Sequence, residues 1–116
     1  MTSAPECVEA ELHNLLQWCS NNTGKIHPLI LAFDFHKKYE YIHPFLDGNG
    51  RTGRLIMNKI LISGGYFPII VFNESKLSYF NSIRKARQGN GKKYYKFMLS
   101  QAEKTYDLIL AAIVRY

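Results

Sequence analysis

Residues 43–50, with the sequence HPFLDGNG, interrupt what would otherwise be two consecutive helices. Before them, the run from His27-Pro28 through LILAFDFHKKYEYI has helical periodicity, and Pro44 ends it because proline disfavours helical geometry in the preceding residue. After them, residues 51–62 carry apolar side chains on nearly every side of a helical wheel, which predicts a helix surrounded by others. The interrupting segment is therefore expected to be a loop between two central helices. The inward face of the helix before it is predicted to hold Leu29, Ile30, Phe33, Tyr41 and the packing histidine His36.

Capping and breaking signals predict three further helices. Thr2 or Ser3 can cap a first helix that ends at the loop signal of residues 21–24, Asn73 can cap a helix over residues 74–88, and a last helix covers residues 92–114. YFPIIVF at 66–72 is expected to be an extended connection, because it contains Pro68 and has no obvious partner strand. The predicted fold class is all-α, a compact bundle of about five helices. The predicted inward stripe of the last helix is Tyr95, Met98, Leu99, Ala102, Thr105, Tyr106, Ile109 and Ile113.

Length and composition suit one domain. A chain of 116 residues with 47% hydrophobic residues can bury a real core, so residues 1–116 are expected to form a single domain. No stretch approaches the ~20 apolar residues of a membrane span, and the first residues lack the pattern of a secretion signal. Cys7 and Cys19 share the first predicted helix, roughly 18 Å apart, which is too far for a disulfide. These features favour a cytoplasmic location without a membrane partner.

The net charge of +6 suits an anionic partner, either nucleic acid or a small phosphate compound. Nucleic-acid binding is disfavoured, because no helix-turn-helix or aromatic RNA-binding signature accompanies the charge. The basic run is interpreted first as a solvated helix face. It comprises Arg84, Lys85, Arg87, Lys92, Lys93 and Lys96.

The loop itself has the composition of a phosphate site. Gly48 and Gly50 allow positive φ and expose backbone N–H groups, so the turn can form a nest of donors at the positive end of a helix. Arg51 and Arg54 are three residues apart on one side of that helix and can bind phosphate oxygens bidentately. Such a site is expected to bind phosphate.

Two further loop residues add catalytic chemistry. Asp47 would repel phosphate unless a cation lies between them, which makes it a candidate Mg²⁺ ligand. His43 can accept a proton from an attacking hydroxyl. The combination predicts phosphoryl or nucleotidyl transfer, driven by positioning and charge neutralisation.

Other interpretations of these residues were weighed. Residues 48–53 match the G-x-G-x-x-G pattern of dinucleotide-binding folds, but a helical pattern rather than a strand precedes them. A solvated glycine-rich turn would explain Asp47 or Arg54 alone, yet it has no use for Asn49 and two arginines on an otherwise apolar helix. Tyr79 and Phe80 are interpreted first as core aromatics and second as walls of a nucleobase pocket.

The stretch HPFLDGNGRTGR at 43–54 resembles the signature of the Fic family, HPFx[DE]GNGRxxR, at every specified position. The similarity extends to residues 15–21, 27–42, 65–72 and 102–110. The resemblance implies an all-α bundle that transfers AMP from ATP to a Ser, Thr or Tyr hydroxyl of a target protein. It also implies Mg²⁺ as the cofactor.

The resemblance assigns a role to each motif residue. His43 matches the base that deprotonates the hydroxyl, and Asp47 matches the Mg²⁺ ligand. The kinase-like Doc branch has Lys where this chain has Gly50, so Gly50 favours AMP transfer over phosphate transfer. The other matches are the anion hole at Gly48, Asn49 and Gly50, the β- and γ-phosphate ligands Arg51 and Arg54, and the loop anchor Phe45.

The sequence also departs from the family pattern. Relatives usually have an upstream β-hairpin flap that registers the target, and many have an inhibitory helix, [ST]xxxE[GN]; neither pattern is recognised here. The chain is therefore expected to be a Fic core that is excised, naturally short or controlled by a separate antitoxin-like protein. A nucleotide-binding module without transfer, or transfer of a different phosphate-containing group, is the alternative function.

Overall fold

The computed structural model describes residues 5–43 and 49–115. Within these ranges the backbone forms five α-helices and two short 3₁₀ turns, without a β-strand, so the predicted all-α class is confirmed. Among these helices, none combines the length and the apolar character that a membrane span needs. The helices are α1 (Val8–Asn22), α2 (Pro28–Ile42), α3 (Asn49–Ser63), α4 (Lys76–Arg87) and α5 (Lys92–Val114), and the 3₁₀ turns are Pro5–Cys7 and Asn73–Ser75.

The chain divides into two compact units, Met1–Pro68 and Ile69–Tyr116. The expectation of a single domain over residues 1–116 stays a prediction. In the first unit, α2 packs against both α1 and α3. Between α1 and α2 lies a core cluster of Leu15, Phe35, Tyr39 and Ile42.

The buried face of α2 differs from the predicted one. Phe33 and His36 are fully buried as expected, but Ile30 is 37% exposed, and Leu29 and Tyr41 are only half-buried. The prediction was wrong for these three because α2 contacts α1 on one side and α3 on another, whereas the helical wheel was given one inward face. The additional buried residues are Leu31, Ala32, Phe35, Tyr39 and Ile42.

The prediction that α3 is surrounded by other helices is also wrong. Leu55 is 71% exposed and Ile62 is 58% exposed. Apolar residues around a wheel do not require burial on every side, since much of a folded protein's surface is apolar. The helix instead buries one stripe with a spacing of four residues, Asn49, Gly53, Met57 and Leu61. This stripe begins at Asn49, so the packing of α3 fixes the position of its first turn.

Two helix ends, the start of α2 and the end of α3, follow the predicted signals. Pro28 is the first residue of α2, and the Leu29 N–H donates to Nδ1 of the capping residue His27 at 3.2 Å. After α3, Gly65 has a φ of +90°, and the Tyr66 N–H reaches back to the Leu61 carbonyl at 2.9 Å. This is a Schellman ending, which needs a residue that tolerates positive φ. It confirms that the Gly64-Gly65 pair ends α3.

Residues 66–72, which include the end of the first unit and the start of the second, form no regular element, as predicted for the extended connection. Part of this segment bonds to α5: the Ile70 N–H donates to Thr105 Oγ1 at 3.1 Å, and the Phe72 N–H donates to Gln101 Oε1 at 2.9 Å. Asn73 does not cap α4, because it starts a 3₁₀ turn and α4 begins only at Lys76.

The predicted stripe of α5 is partly wrong. Met98, Ala102 and Thr105 are buried, whereas Leu99 is 46% exposed and Ile113 is 60% exposed. Tyr94 and Gln101 are buried in addition. The buried face of α5 is therefore rotated by about one residue position from the predicted face. A polar Gln101 can lie there because it accepts the hydrogen bond from the connecting segment. Of the remaining predicted members, Tyr95, Tyr106 and Ile109 are half-buried.

Candidate functional site

His43 forms the C-terminal cap of α2 in a left-handed conformation, with φ 52° and ψ 61°. Among the described non-glycine residues it alone has a positive φ. This region costs a non-glycine residue on the order of 1 kcal/mol or more, although His enters it more readily than most residues. The cap is held by a hydrogen bond from the His43 N–H to the Tyr39 carbonyl at 3.0 Å, and the side chain is exposed. The backbone therefore turns at His43 and leaves its imidazole accessible to a substrate.

The motif continues at the N-terminus of α3. Asn49 is its first residue and is 5% exposed, while Arg51 in the first turn is exposed. The first turn of a helix has N–H groups without intrahelical partners, and it carries a partial positive charge. The start of α3 therefore has the general electrostatic character that favours anions, while the predicted phosphate site stays a prediction.

Arg54 folds back over Gly50. Its Nη1 atom lies 2.9 Å from the place where a Cβ on Gly50 would be. Any side chain at position 50 would displace the guanidinium, so Gly50 is needed for space. The predicted positive φ at Gly50 is wrong: Gly50 lies within α3 and is not among the described glycines with positive φ, because the helix begins one residue earlier.

Gly53 serves a different purpose on the packed side of α3. A Cβ there would lie 3.0 Å from Tyr39 Cδ1, 3.2 Å from His36 Nδ1 and 3.2 Å from Glu40 Oε1. All three contacts belong to α2, so the glycine allows the two helices to approach closely. The first turns of α3 therefore pack against the C-terminal half of α2.

Two titratable groups of α2, His36 and Glu40, interact electrostatically with Arg54. Burial lowers the pKa of His36 to about 4; a hydrogen bond with the Gly53 backbone opposes this shift, and the Arg54 charge adds to it. Burial raises the pKa of the Glu40 carboxyl, and the Arg54 charge opposes that rise. His36 is therefore a neutral imidazole near neutral pH. The positive charge of Arg54 lowers the pKa of both groups.

Sequence reasoning missed Glu40 and Gly53 as parts of this region. Gly53 carried a usable signal, since it continues the four-residue spacing from Asn49 to Met57. No sequence signal pointed to Glu40, because its interaction with Arg54 depends on how closely α2 and α3 approach. His36 was expected to be buried or half-buried, and its burial is confirmed.

Of the remaining predicted site residues, Phe45, Asp47 and Gly48 lie outside the described residues. Tyr79 and Phe80 are neighbours on α4, with ring centroids 5.1 Å apart. Tyr79 is 1% exposed, as expected for a core aromatic, whereas Phe80 is 53% exposed. Their role as walls of a nucleobase pocket stays a prediction.

The described groups support one kind of chemistry. A helix N-terminus, a guanidinium folded over a glycine and an exposed arginine form a cationic site at the start of α3. An exposed imidazole ends the preceding helix. This arrangement can hold a polyphosphate and offer a base to a nucleophile beside it.

Comparison with known proteins agrees with this chemistry. The model of the Fic/DOC family matches residues 1–61. A protein adenylyltransferase Fic of Nematostella vectensis is 36% identical over 114 residues, which are 97% of this chain and 27% of that protein. The corresponding protein of Drosophila persimilis is 39% identical over 93 residues, 80% of this chain and 18% of the relative.

Solved structures show the same similarity. Fic-1 from C. elegans has a TM-score of 0.87 and 30% identity, covering 97% of this chain and 34% of that one. A Fic domain containing signaling protein from Bacteroides thetaiotaomicron has a TM-score of 0.73 and 28% identity, covering 90% of this chain and 42% of that one. The chain thus spans less than half the length of each of these proteins.

Proposed function

The chain belongs to the Fic/DOC family, and from this premise we propose that it carries the catalytic centre of a protein adenylyltransferase. The reaction moves AMP from ATP to a Ser, Thr or Tyr hydroxyl of a target protein. The adenylyltransferase relatives support this activity, although each is much longer than the part matched here. The observation that carries the proposal is the Arg54 guanidinium lying over Gly50 at the start of α3.

The ATP triphosphate is the ligand that this end of α3 suits. Its negative charge meets the partial positive charge of the helix N-terminus and the guanidinium groups of Arg51 and Arg54. Arginine at these positions gives paired hydrogen bonds to phosphate oxygens, which fixes the direction of the phosphate chain. The leaving pyrophosphate is thereby held while the α-phosphorus stays open to attack.

His43 acts as the general base. The target hydroxyl oxygen forms a bond to the α-phosphorus, the bond from that phosphorus to the bridging oxygen of pyrophosphate breaks, and the hydroxyl proton passes to the imidazole. The exposed position of His43 at the turn after α2 supports this role, because a target side chain must reach it from solvent. The products are AMP-modified protein and pyrophosphate.

Magnesium is proposed as the cofactor. A carboxylate together with phosphate oxygens is the donor set that Mg²⁺ usually takes in nucleotide sites, and Asp47 precedes the phosphate-binding residues in the chain. When bound, the ion would neutralise charge on the triphosphate. The residues of α3 supply the remaining positive charge.

Gly50 also distinguishes AMP transfer from phosphate transfer. Lysine at this position, as in the kinase-like branch, would meet the Arg54 guanidinium at the 2.9 Å contact and displace it. The arrangement seen here therefore favours a γ-phosphate held by Arg54 and a reaction at the α-phosphorus.

Labelling separates this function from its alternatives. The chain is incubated with Mg²⁺ and cell lysate, with ATP labelled at either the α- or the γ-phosphate. We expect α-label on proteins, its loss in His43→Ala, and its retention in His13→Ala, which alters an exposed histidine of α1. Label from the γ-phosphate above that of lysate without the chain, and lost in His43→Ala, would indicate phosphate transfer by the chain. Equal α-labelling by His43→Ala would contradict the proposal, and ATP binding without any label would indicate a non-transferring module.

A further inference from the structure

Three members of the basic run, Lys85, Lys93 and Lys96, line a cleft between α4 and α5 in the second unit. The cleft has a volume of about 460 Å³, within the range of small-ligand sites. Three lysines and three serines account for most of its polar lining: Ser78, Ser82, Lys85, Lys93, Lys96 and Ser100. None of the described residues that line it is Asp or Glu. The sequence interpreted this run as a solvated helix face, which does not explain why the lysines converge.

The convergence is electrostatically unfavourable by itself. The Lys93 side chain lies within hydrogen-bonding reach of Lys85, and its charge lowers the pKa of the Lys85 amine, with Arg84 adding to the effect. Ammonium groups are donors only, so this pair cannot satisfy itself. Lys93 also lies in the first turn of α5, where the helix dipole favours carboxylates, and that turn contains no acidic residue. An anion between the two ammonium groups would remove these conflicts.

The other polar groups of the cleft are mostly donors as well. Asn81 also lines it, and its Oδ1 accepts a hydrogen bond from Arg84 at 2.8 Å, which leaves the amide NH₂ to offer. Ser78 and Ser100 are exposed and carry hydroxyl donors. Ser82 differs, because its hydroxyl already donates to the Tyr79 carbonyl at 2.8 Å. A ligand here must therefore supply acceptors and negative charge.

We propose that the cleft between α4 and α5 is a binding site for a phosphate dianion, held by Lys85, Lys93 and Lys96. A dianion matches three cations in a small space better than a single carboxylate does, and its oxygens can accept from several donors at once. The dianion can belong to a free phosphate compound or to a phosphorylated side chain. This proposal concerns a different part of the chain from the α3 site and does not depend on AMP transfer.

The test is an amide NMR titration of the chain with inorganic phosphate, pyrophosphate and a phosphoserine peptide in separate arms. Because resonances report residue by residue, signals from residues 78–100 distinguish this cleft from the start of α3, which also attracts phosphate. We expect saturable shifts at Ser82, Lys85 and Lys93. The double variant Lys85→Gln/Lys93→Gln should weaken binding at least about tenfold. Lys59→Gln/Lys76→Gln removes two exposed lysines outside the cleft and should leave the affinity unchanged.

The arms identify the source of the phosphate. Saturable binding of inorganic phosphate or pyrophosphate supports a free compound, and binding of the peptide alone supports a phosphorylated side chain. Linear shifts that never saturate, or saturable shifts that survive in the Lys85→Gln/Lys93→Gln variant, would overturn the proposal. So would binding of a single-stranded oligonucleotide in a further arm when all three phosphate probes fail, because that would indicate a nucleic-acid surface.

Discussion

Gly50 and Gly53 of α3 lack a side chain for two different physical reasons. Gly50 leaves room for a mobile guanidinium, whereas Gly53 leaves room for three side chains of a neighbouring helix. The first contact is with the far end of a flexible side chain, so a methyl group there displaces Arg54 at little cost in stability. The second contact is with His36 and Tyr39, which are buried and cannot move freely. One residue type therefore serves ligand binding at position 50 and packing at position 53.

Alanine at the two positions should separate these roles. Gly53→Ala should lower the free energy of unfolding by about 1 kcal/mol or more, because overpacking outweighs the gain in helix propensity. Gly50→Ala should leave stability unchanged or raise it by up to about 1 kcal/mol, while ATP binding weakens. Urea denaturation and ATP titration of both variants measure the two effects. If both variants lost or kept stability to the same extent, the packing role of Gly53 would be refuted.

The buried His36 predicts a pH dependence of stability. Its pKa is about 4 in the folded chain and near 6.5 when unfolded, so between these values the unfolded state binds a proton that the folded state does not. The contribution of His36 to stability is therefore complete above about pH 6.5 and is lost at about 1 kcal/mol per pH unit as the pH drops toward 4. Urea denaturation from pH 7 to 4.5 measures the slope. His36→Gln should flatten it and His13→Gln should not; an unchanged slope in His36→Gln would contradict this account.

At the scale of elements, the start of α2 depends on one imidazole. His27 accepts from the Leu29 N–H through Nδ1, and its Nε2 lies 3.0 Å from the Tyr66 hydroxyl, which follows α3. The residue therefore caps a helix and ties it to a later segment of the same unit. Loss of the His27 imidazole should therefore disturb the packing of both α2 and α3, the helices that flank the motif.

Removal of this cap should be measurable. His27→Ala is expected to cost about 1 kcal/mol of unfolding free energy, the usual loss for a helix cap. Tyr66→Phe should cost less, because the bond to the Leu29 N–H remains. His13→Ala, at an exposed position of α1, is the matched control in thermal or urea denaturation. Stability of His27→Ala equal to that of the control would show that the cap contributes nothing.

Some helix ends could be predicted from the sequence, whereas Asn73 does not cap α4 as predicted and several buried faces were wrong. Pro28, Pro44 and the glycines at 64–65 act through local backbone geometry, which is the same in any fold. Burial depends on which elements pack together. Gln101 is buried because it bonds to a segment about thirty residues earlier in the chain, and Leu55 is exposed although it is apolar. No helical wheel contains that information.

Within the whole molecule, the described part of the candidate site lies in the first unit. The exposed imidazole of His43 and the cationic start of α3 were predictable, because the motif places their residue types in order along the chain. The contacts that hold α3 against α2 could not be predicted, since Glu40 and Gly53 meet only through the packing of these two helices. The relatives are about two to six times longer than the part matched here.

We expect the start of α3 to bind the triphosphate of ATP through Arg54. Calorimetric titration of the chain with ATP and Mg²⁺ measures this binding. Arg54→Ala should weaken binding at least about tenfold, whereas His43→Ala and Lys59→Ala, an exposed cation farther along the same helix, should bind ATP as the parent chain does. An Arg54→Ala variant with unchanged affinity for ATP would contradict the account.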